Sequence, residues 1–243
     1  MKIAVLISGQ YREFEIAVQS WKFIPKGSDV DFYMATWNIS YDEIYDGKST
    51  PDENGIQHIT IERIEKVINL RDFRILPEVE GNTITRYTSL IKNSLQMLIN
   101  SNIKYDVVMI MRPDLWVGSS LNNSLILLLQ NKMINNILYG ASLHYGYMNM
   151  PEVRDCFWLG NQITMLKFLN LPTPSNYEFG TEKILGQFYI DNNLKSNLIP
   201  DVNACYIVRS NCRNIENLTT EIVDRKAIEW WNIKHPENSK RIS

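Results

Sequence analysis

Lys2-Ile3-Ala4-Val5-Leu6-Ile7-Ser8, closed by Gly9-Gln10, is the stretch that decides the fold. A strand with one wet face alternates apolar and polar residues. This run is apolar from Ile3 to Ile7, which fits a strand covered on both faces in a parallel sheet. Working outward, Phe14 to Phe23 carries Ile16, Val18, Trp21 and Phe23 and predicts a short helix ended by Pro25 and Gly27. Val30 to Thr36, Phe73 to Leu76, Asp106 to Met111, Leu138 to Leu143 and Asp155 to Gly160 read as further strands. Helices are expected over Ile59 to Leu70, where Glu62 and Lys66 are spaced i,i+4, and over Leu121 to Lys132 and Thr164 to Leu169. The periodicity is clearest over Thr85 to Ile99, where Tyr87, Leu90, Ile91, Leu95 and Leu98 share a face. Thr181 to Ile190 presents Ile184, Leu185 and Phe188 in the same way. Strands alternating with helices predict a three-layer α/β fold with a mainly parallel mixed sheet.

The chain has 243 residues, 44% hydrophobic and 21% charged, enough for a full core without staples. Disorder is excluded by that apolar content at low net charge. Lys plus Arg total 25 against 27 Asp plus Glu, so the clustered positive charge that drives nucleic-acid binding is missing and no nucleic-acid partner is expected. Residues 40–57, rich in Asp, Gly, Ser and Pro, read as a long polar loop. Cys156, Cys205 and Cys212 form no CxxC pair and point to a reducing, cytoplasmic setting. The N-terminal apolar run is too short for a signal peptide, and no window is long and apolar enough to span a bilayer.

Ligands of open α/β sheets bind beyond the carboxyl ends of the strands, and three polar clusters fall there. In Ser8-Gly9-Gln10-Tyr11-Arg12, Gly9 permits close backbone approach and Arg12 suits a phosphate; the plainer reading is a strand-to-helix turn with a solvated arginine. In Met111-Arg112-Pro113-Asp114, Asp114 suits a divalent cation and Arg112 a phosphate, against an ordinary Arg–Asp pair or a turn cap. The third cluster joins Asp155 with Glu182, either being a candidate base for a sugar hydroxyl. Glu182 equally suits a helix N-terminus as a favourable charge. Asp29-Val30-Asp31 precedes a strand and therefore belongs to the wrong edge. Of the three histidines only His144, after a strand, is placed as a ligand. Walker A, GxGxxG, Gly-x-Ser-x-Gly and His-Glu-x-x-His patterns are all missing.

Four segments carry a family resemblance: Ile3-Ala4-Val5-Leu6-Ile7-Ser8-Gly9-Gln10-Tyr11-Arg12-Glu13-Phe14, Asp31-Phe32-Tyr33-Met34-Ala35-Thr36-Trp37, Tyr105-Asp106-Val107-Val108-Met109-Ile110-Met111-Arg112-Pro113-Asp114 and Asp155-Cys156-Phe157-Trp158-Leu159-Gly160. Together they resemble small GT-A-type glycosyltransferases, related to enzymes of bacterial and viral surface-polysaccharide gene clusters. The resemblance implies a Rossmann-like GT-A domain over residues 1–210. Residues 211–243 fall outside it; the rings of Trp230-Trp231 suit an interface, and with only Lys226, Lys234, Lys240 and Arg241 as nearby positive charge this extension is expected to pack on the domain rather than dock on a membrane. The resemblance also implies a nucleotide-diphosphate sugar as donor and a glycan or other hydroxyl as acceptor. Gly9, Gln10 and Arg12 would contact the nucleotide or its phosphates. The Arg112-Pro113-Asp114 turn stands where the family carries Asp-x-Asp, which holds metal and diphosphate. Asp114 would then hold Mn or Mg, but Arg112 replaces the first acid and an arginine can neutralise a departing diphosphate itself. Asp155 and Glu182 fall on the acceptor side as candidate bases. The competing expectation is a non-catalytic nucleotide- or carbohydrate-binding protein on the same fold. If Asp114 serves only the site, Asp114→Ala should abolish transfer with little change in melting temperature.

Overall fold

The computed structural model describes residues 1–40, 57–78, 83–130, 137–140, 144–145, 151–152, 157–172, 181–199, 205–208, 212 and 215–234. The opening run forms β1 (Lys2–Ser8), as its apolar continuity requires. The expected helix after it is one turn, α1 (Phe14–Ala17), continued by a 3-10 turn over Val18–Ser20. It stops there because tertiary bonds take over: Trp21 Nε1 donates to the Leu115 carbonyl at 2.7 Å, and the Val117 amide donates to Ser20 Oγ at 2.8 Å. Then come β2 (Asp29–Trp37) and a two-residue ladder of β3 (Ile39–Ser40) with β4 (Gln57–His58), whose members flank residues 41–56 of the polar loop. The expected Ile59–Leu70 helix shrinks to α2 (Ile61–Glu65): Thr60 caps its start by accepting from the Arg63 amide, and at its end the Val67 and Ile68 amides both donate to the Ile64 carbonyl, closing it in a turn. β5 (Asp72–Leu76) and the long α3 (Thr83–Asn100) match the sequence pattern within two residues.

β6 (Val107–Met111) leads into β7 (Leu115–Val117), α4 (Ser119–Gln130), β8 (Ile137–Gly140), the short pair β9 (His144–Tyr145) and β10 (Pro151–Glu152), and β11 (Phe157–Gly160). α5 (Gln162–Leu166), α6 (Thr181–Asp191), β12 (Lys195–Leu198), β13 (Cys205–Ile207) and α7 (Thr220–Lys234) complete the order. The sequence pattern missed α7 and the strands β3, β4, β7, β9, β10, β12 and β13; β12, Lys-Ser-Asn-Leu, is a polar edge strand with no apolar period. Residues 141–143 of the expected Leu138–Leu143 strand lie outside the described residues.

The seven-stranded sheet has the order β12-β8-β11-β6-β1-β2-β5, with β11 antiparallel to both neighbours and the other pairings parallel. Alternate residues of the central strands fill two separate cores. Ala4, Leu6, Tyr33, Val108 and Ile110 pack with α3, α5 and α6, while Ile3, Val5, Ile7, Met34, Val107 and Met109 pack with α1, α2 and α4. These are the three layers that the continuous apolar runs predicted. α1 and α2 cover one face and α3 the other, so the crossovers leave β1 and β6 in opposite senses. The carboxyl ends of those two neighbours therefore form a topological switch point, where such sheets open a crevice. Among the described residues no helix is long and apolar enough to cross a membrane.

The amino edge of the sheet is closed by charge. Tyr105 Oη donates to Asp31 Oδ2 at 2.6 Å and so must accept from Tyr33 Oη, 2.7 Å away. Lys2 and Arg71 also pair with Asp31, which places Asp29-Val30-Asp31 on the edge opposite the switch point. Burial raises the Tyr105 pKa and keeps the phenol protonated for this relay. Tyr105→Phe is expected to lower stability by about 1–3 kcal/mol in urea unfolding, because it strands the Tyr33 hydroxyl and takes a donor from Asp31.

Candidate functional site

At the end of β1 the backbone turns through Gly9 at φ +151°, with its amide bonded to the Ala35 carbonyl at 3.3 Å. A Cβ there would lie 2.8 Å from Pro113 Cδ, so only glycine lets the turn after β6 close against the turn after β1. Arg12 adopts φ +40°, a left-handed conformation costly for a side chain of this size. Ser40 Oγ holds it by accepting from the Arg12 amide at 2.7 Å. The chain after β2 thereby fixes the backbone of a residue after β1.

The two turns meet at Asp114. Arg12 Nη1 donates to Asp114 Oδ2 at 2.7 Å, and Arg112 donates from Nε to Oδ1 and from Nη2 to Oδ2, both at 3.0 Å. Gln10 Oε1 accepts from Arg12 Nε at 3.0 Å and fixes that guanidinium from its far side. The Asp114 side chain is only 2% exposed, against 9% for Arg12 and 20% for Arg112. Its backbone carbonyl accepts from the Val208 amide at 2.8 Å, and β13 pairs with β7 directly after the turn. Asp114 is thus held at its carboxylate by side chains from two strand ends and at its backbone carbonyl by an amide from late in the chain.

Around this cluster the packing is tight. Tyr11 is fully buried, edge-on to Phe14, with the Arg63 guanidinium 4.8 Å above its ring and Arg63 Nε donating to Glu15 at 2.6 Å. Burial raises the Tyr11 pKa, so it remains a neutral phenol. Beneath the Gly9 turn, Ser94 Oγ donates to the Ile91 carbonyl and therefore accepts from Ser8 Oγ at 2.8 Å, joining β1 to α3.

Gly9, Gln10, Arg12, Arg112 and Asp114 thus form one assembly rather than two clusters. Asp155 lies outside the described residues. Glu182 falls in the first turn of α6 and is described by its backbone alone, as is His144 in β9. The Arg–Asp pair, the plainer reading of the second cluster, is present and includes a second arginine. Both oxygens of Asp114 accept from guanidinium groups, and no group of three His, Cys, Asp or Glu suited to a metal occurs among the described residues. The residues present do not fit a resident divalent cation at Asp114. Ser40, Ser94 and Val208 have parts that the sequence did not signal, because each acts on a partner distant in the chain.

No protein-family model and no curated protein sequence matches the chain. Among solved structures, a likeness is found to a complex of a mutant Drosophila β-1,4-galactosyltransferase 7 with manganese, UDP-Gal and xylobiose, at 12% identity and TM-score 0.45, covering 82% of this chain and 65% of that one. A second is to the apo form of the glycosyltransferase GlyE of Streptococcus pneumoniae, at 16% identity and TM-score 0.42, covering 80% of this chain and 44% of that one. This chain spans less than two-thirds of either protein.

The burial of Asp114 reverses the expectation that its removal leaves the melting temperature unchanged. Asp114→Ala removes the carboxylate that both guanidiniums share and should cost about 3–5 kcal/mol in chemical unfolding. Gly9→Ala, which forces a Cβ into Pro113 at a left-handed φ, should cost about 1–3 kcal/mol in the same assay.

Proposed function

We propose that this chain is a glycosyltransferase of the GT-A type that transfers a sugar from a nucleotide-diphosphate donor to a glycan or other hydroxyl acceptor. The observation that carries the reading is the pair Arg12 and Arg112, fixed on one buried carboxylate at the switch point between β1 and β6. Crevices at such points receive nucleotides, and preorganised guanidinium donors suit phosphate oxygens. The four-segment resemblance supports the same conclusion and extends it to surface-polysaccharide synthesis, and the cysteine usage of the chain favours a cytoplasmic setting. On this reading residues 1–210 form the catalytic domain and 211–243 pack upon it.

The chemistry follows from where charge develops. As the bond between the sugar's anomeric carbon and the diphosphate oxygen breaks, negative charge accumulates on the departing phosphate. Donors already in place stabilise that charge without reorganising. Gly9 and Gln10 line the approach of the nucleotide, and Arg12 and Arg112 receive the diphosphate. The acceptor hydroxyl must lose its proton as it attacks, and Asp155 or Glu182 is assigned as the base.

Thermal unfolding with UDP, GDP, CDP and ADP tests the donor class. A matching diphosphate at about 100 times its dissociation constant should stabilise the chain by roughly 2.7 kcal/mol, and no shift with any of the four overturns the reading. With the matching sugar nucleotide, Arg112→Ala should lower kcat by about 10²-fold in a transfer assay. Binding of donor without transfer to any hydroxyl acceptor would mark a non-catalytic binding protein.

A further inference from the structure

We infer that the diphosphate is held without a metal ion, with Arg12 and Arg112 taking the cation's place and Asp114 acting as their anchor. The inference rests on the donor reading above and concerns how that same site handles charge. A cation of the Mg or Mn kind needs carboxylate lone pairs directed at it and usually keeps several waters. Here Asp114 Oδ1 accepts from Arg112 Nε, and Oδ2 accepts from both Arg112 Nη2 and Arg12 Nη1. A cation approaching this carboxylate would meet two fixed positive charges at hydrogen-bond distance from the same oxygens. The carboxylate is also shut in: it is 2% exposed, and the turn that carries it abuts Gly9 so closely that a single added carbon would overlap Pro113.

The geometry of the arginines fits the substitute role. They come from different strand ends, one after β1 and one after β6, and a single carboxylate sets the distance between their guanidiniums. Gln10 and Ser40 fix Arg12 further, the first at the side chain and the second at the backbone. The two guanidiniums, offset by the single carboxylate of Asp114, leave a net positive charge spread over planar donors that match phosphate oxygens. Asp114 is therefore a positioning residue that touches neither donor nor acceptor.

The test is a binding measurement, independent of turnover. The whole chain is titrated calorimetrically with UDP, GDP, CDP and ADP, once in EDTA and once with Mn. One diphosphate should bind in both, with dissociation constants within about threefold of each other. Binding that appears only with Mn overturns the metal-free assignment while leaving the donor reading intact. No binding in either condition overturns both. Asp114→Asn, checked for folding by its circular dichroism melt, gives an independent readout. As an anchor variant it should weaken the diphosphate by a similar factor with and without Mn. A loss confined to the Mn titration would make Asp114 a metal ligand and overturn the inference. Should that variant fail to fold, the wild-type pair of titrations decides alone.

Discussion

A carboxylate removed from water must be compensated by partners, since burial of an ion costs several kcal/mol even after relaxation. Asp114 is such a group, and the carboxyl edge of the sheet is arranged around its compensation. Arg12 reaches it only because the chain after Gly9 can turn sharply and because Ser40 supports a left-handed backbone at residue 12. Arg112 reaches it from two residues away, within its own turn. Gly9 and Pro113 bring the two turns into contact. The same neutralisation that makes the ion tolerable in the interior fixes a pair of guanidiniums where a parallel sheet opens to ligands.

The two edges of the sheet use similar residues for different ends. At the amino edge, Asp31 gathers Lys2, Arg71 and Tyr105, and these contacts hold strands and helix ends together far from the crevice. At the carboxyl edge, Asp114 gathers two arginines beside it. The literal Asp-x-Asp at Asp29 to Asp31 lies at the amino edge, and the Arg112-Pro113-Asp114 turn at the carboxyl edge departs from that pattern. Which strand end a carboxylate occupies decides its chemistry more than the motif around it does.

The central strands were legible because burial on both faces makes β1 and β6 apolar almost throughout, and β2 apolar over most of its buried half. β1 matched its predicted range residue for residue, and β2 and β6 came within a residue or so. Elements shaped by distant partners were not legible: α1 ends where Ser20 and Trp21 bond to β7, and β12 is a polar edge strand recognisable only from its pairing with β8. The site divides in the same way. Its residue types at strand ends pointed to phosphate chemistry, but the contact between Arg12 and Asp114 spans 102 positions in the chain and no local pattern encodes it. The depth of Asp114 was equally hidden, because its burial depends on turns that meet only in the folded chain.

The hydrogen bond from the Val208 amide to the Asp114 carbonyl has a consequence for the order in which the molecule is made. Strands β1, β2, β5 and β6 emerge early from the ribosome and can pair as they appear. The turn bearing Asp114 waits for its last backbone partner until most of the chain has been synthesised. The nascent protein can therefore have its central sheet before its crevice is braced. The Asp114 turn then gains its Val208 backbone brace as a late event of biosynthesis, after the strands that position it are already in place.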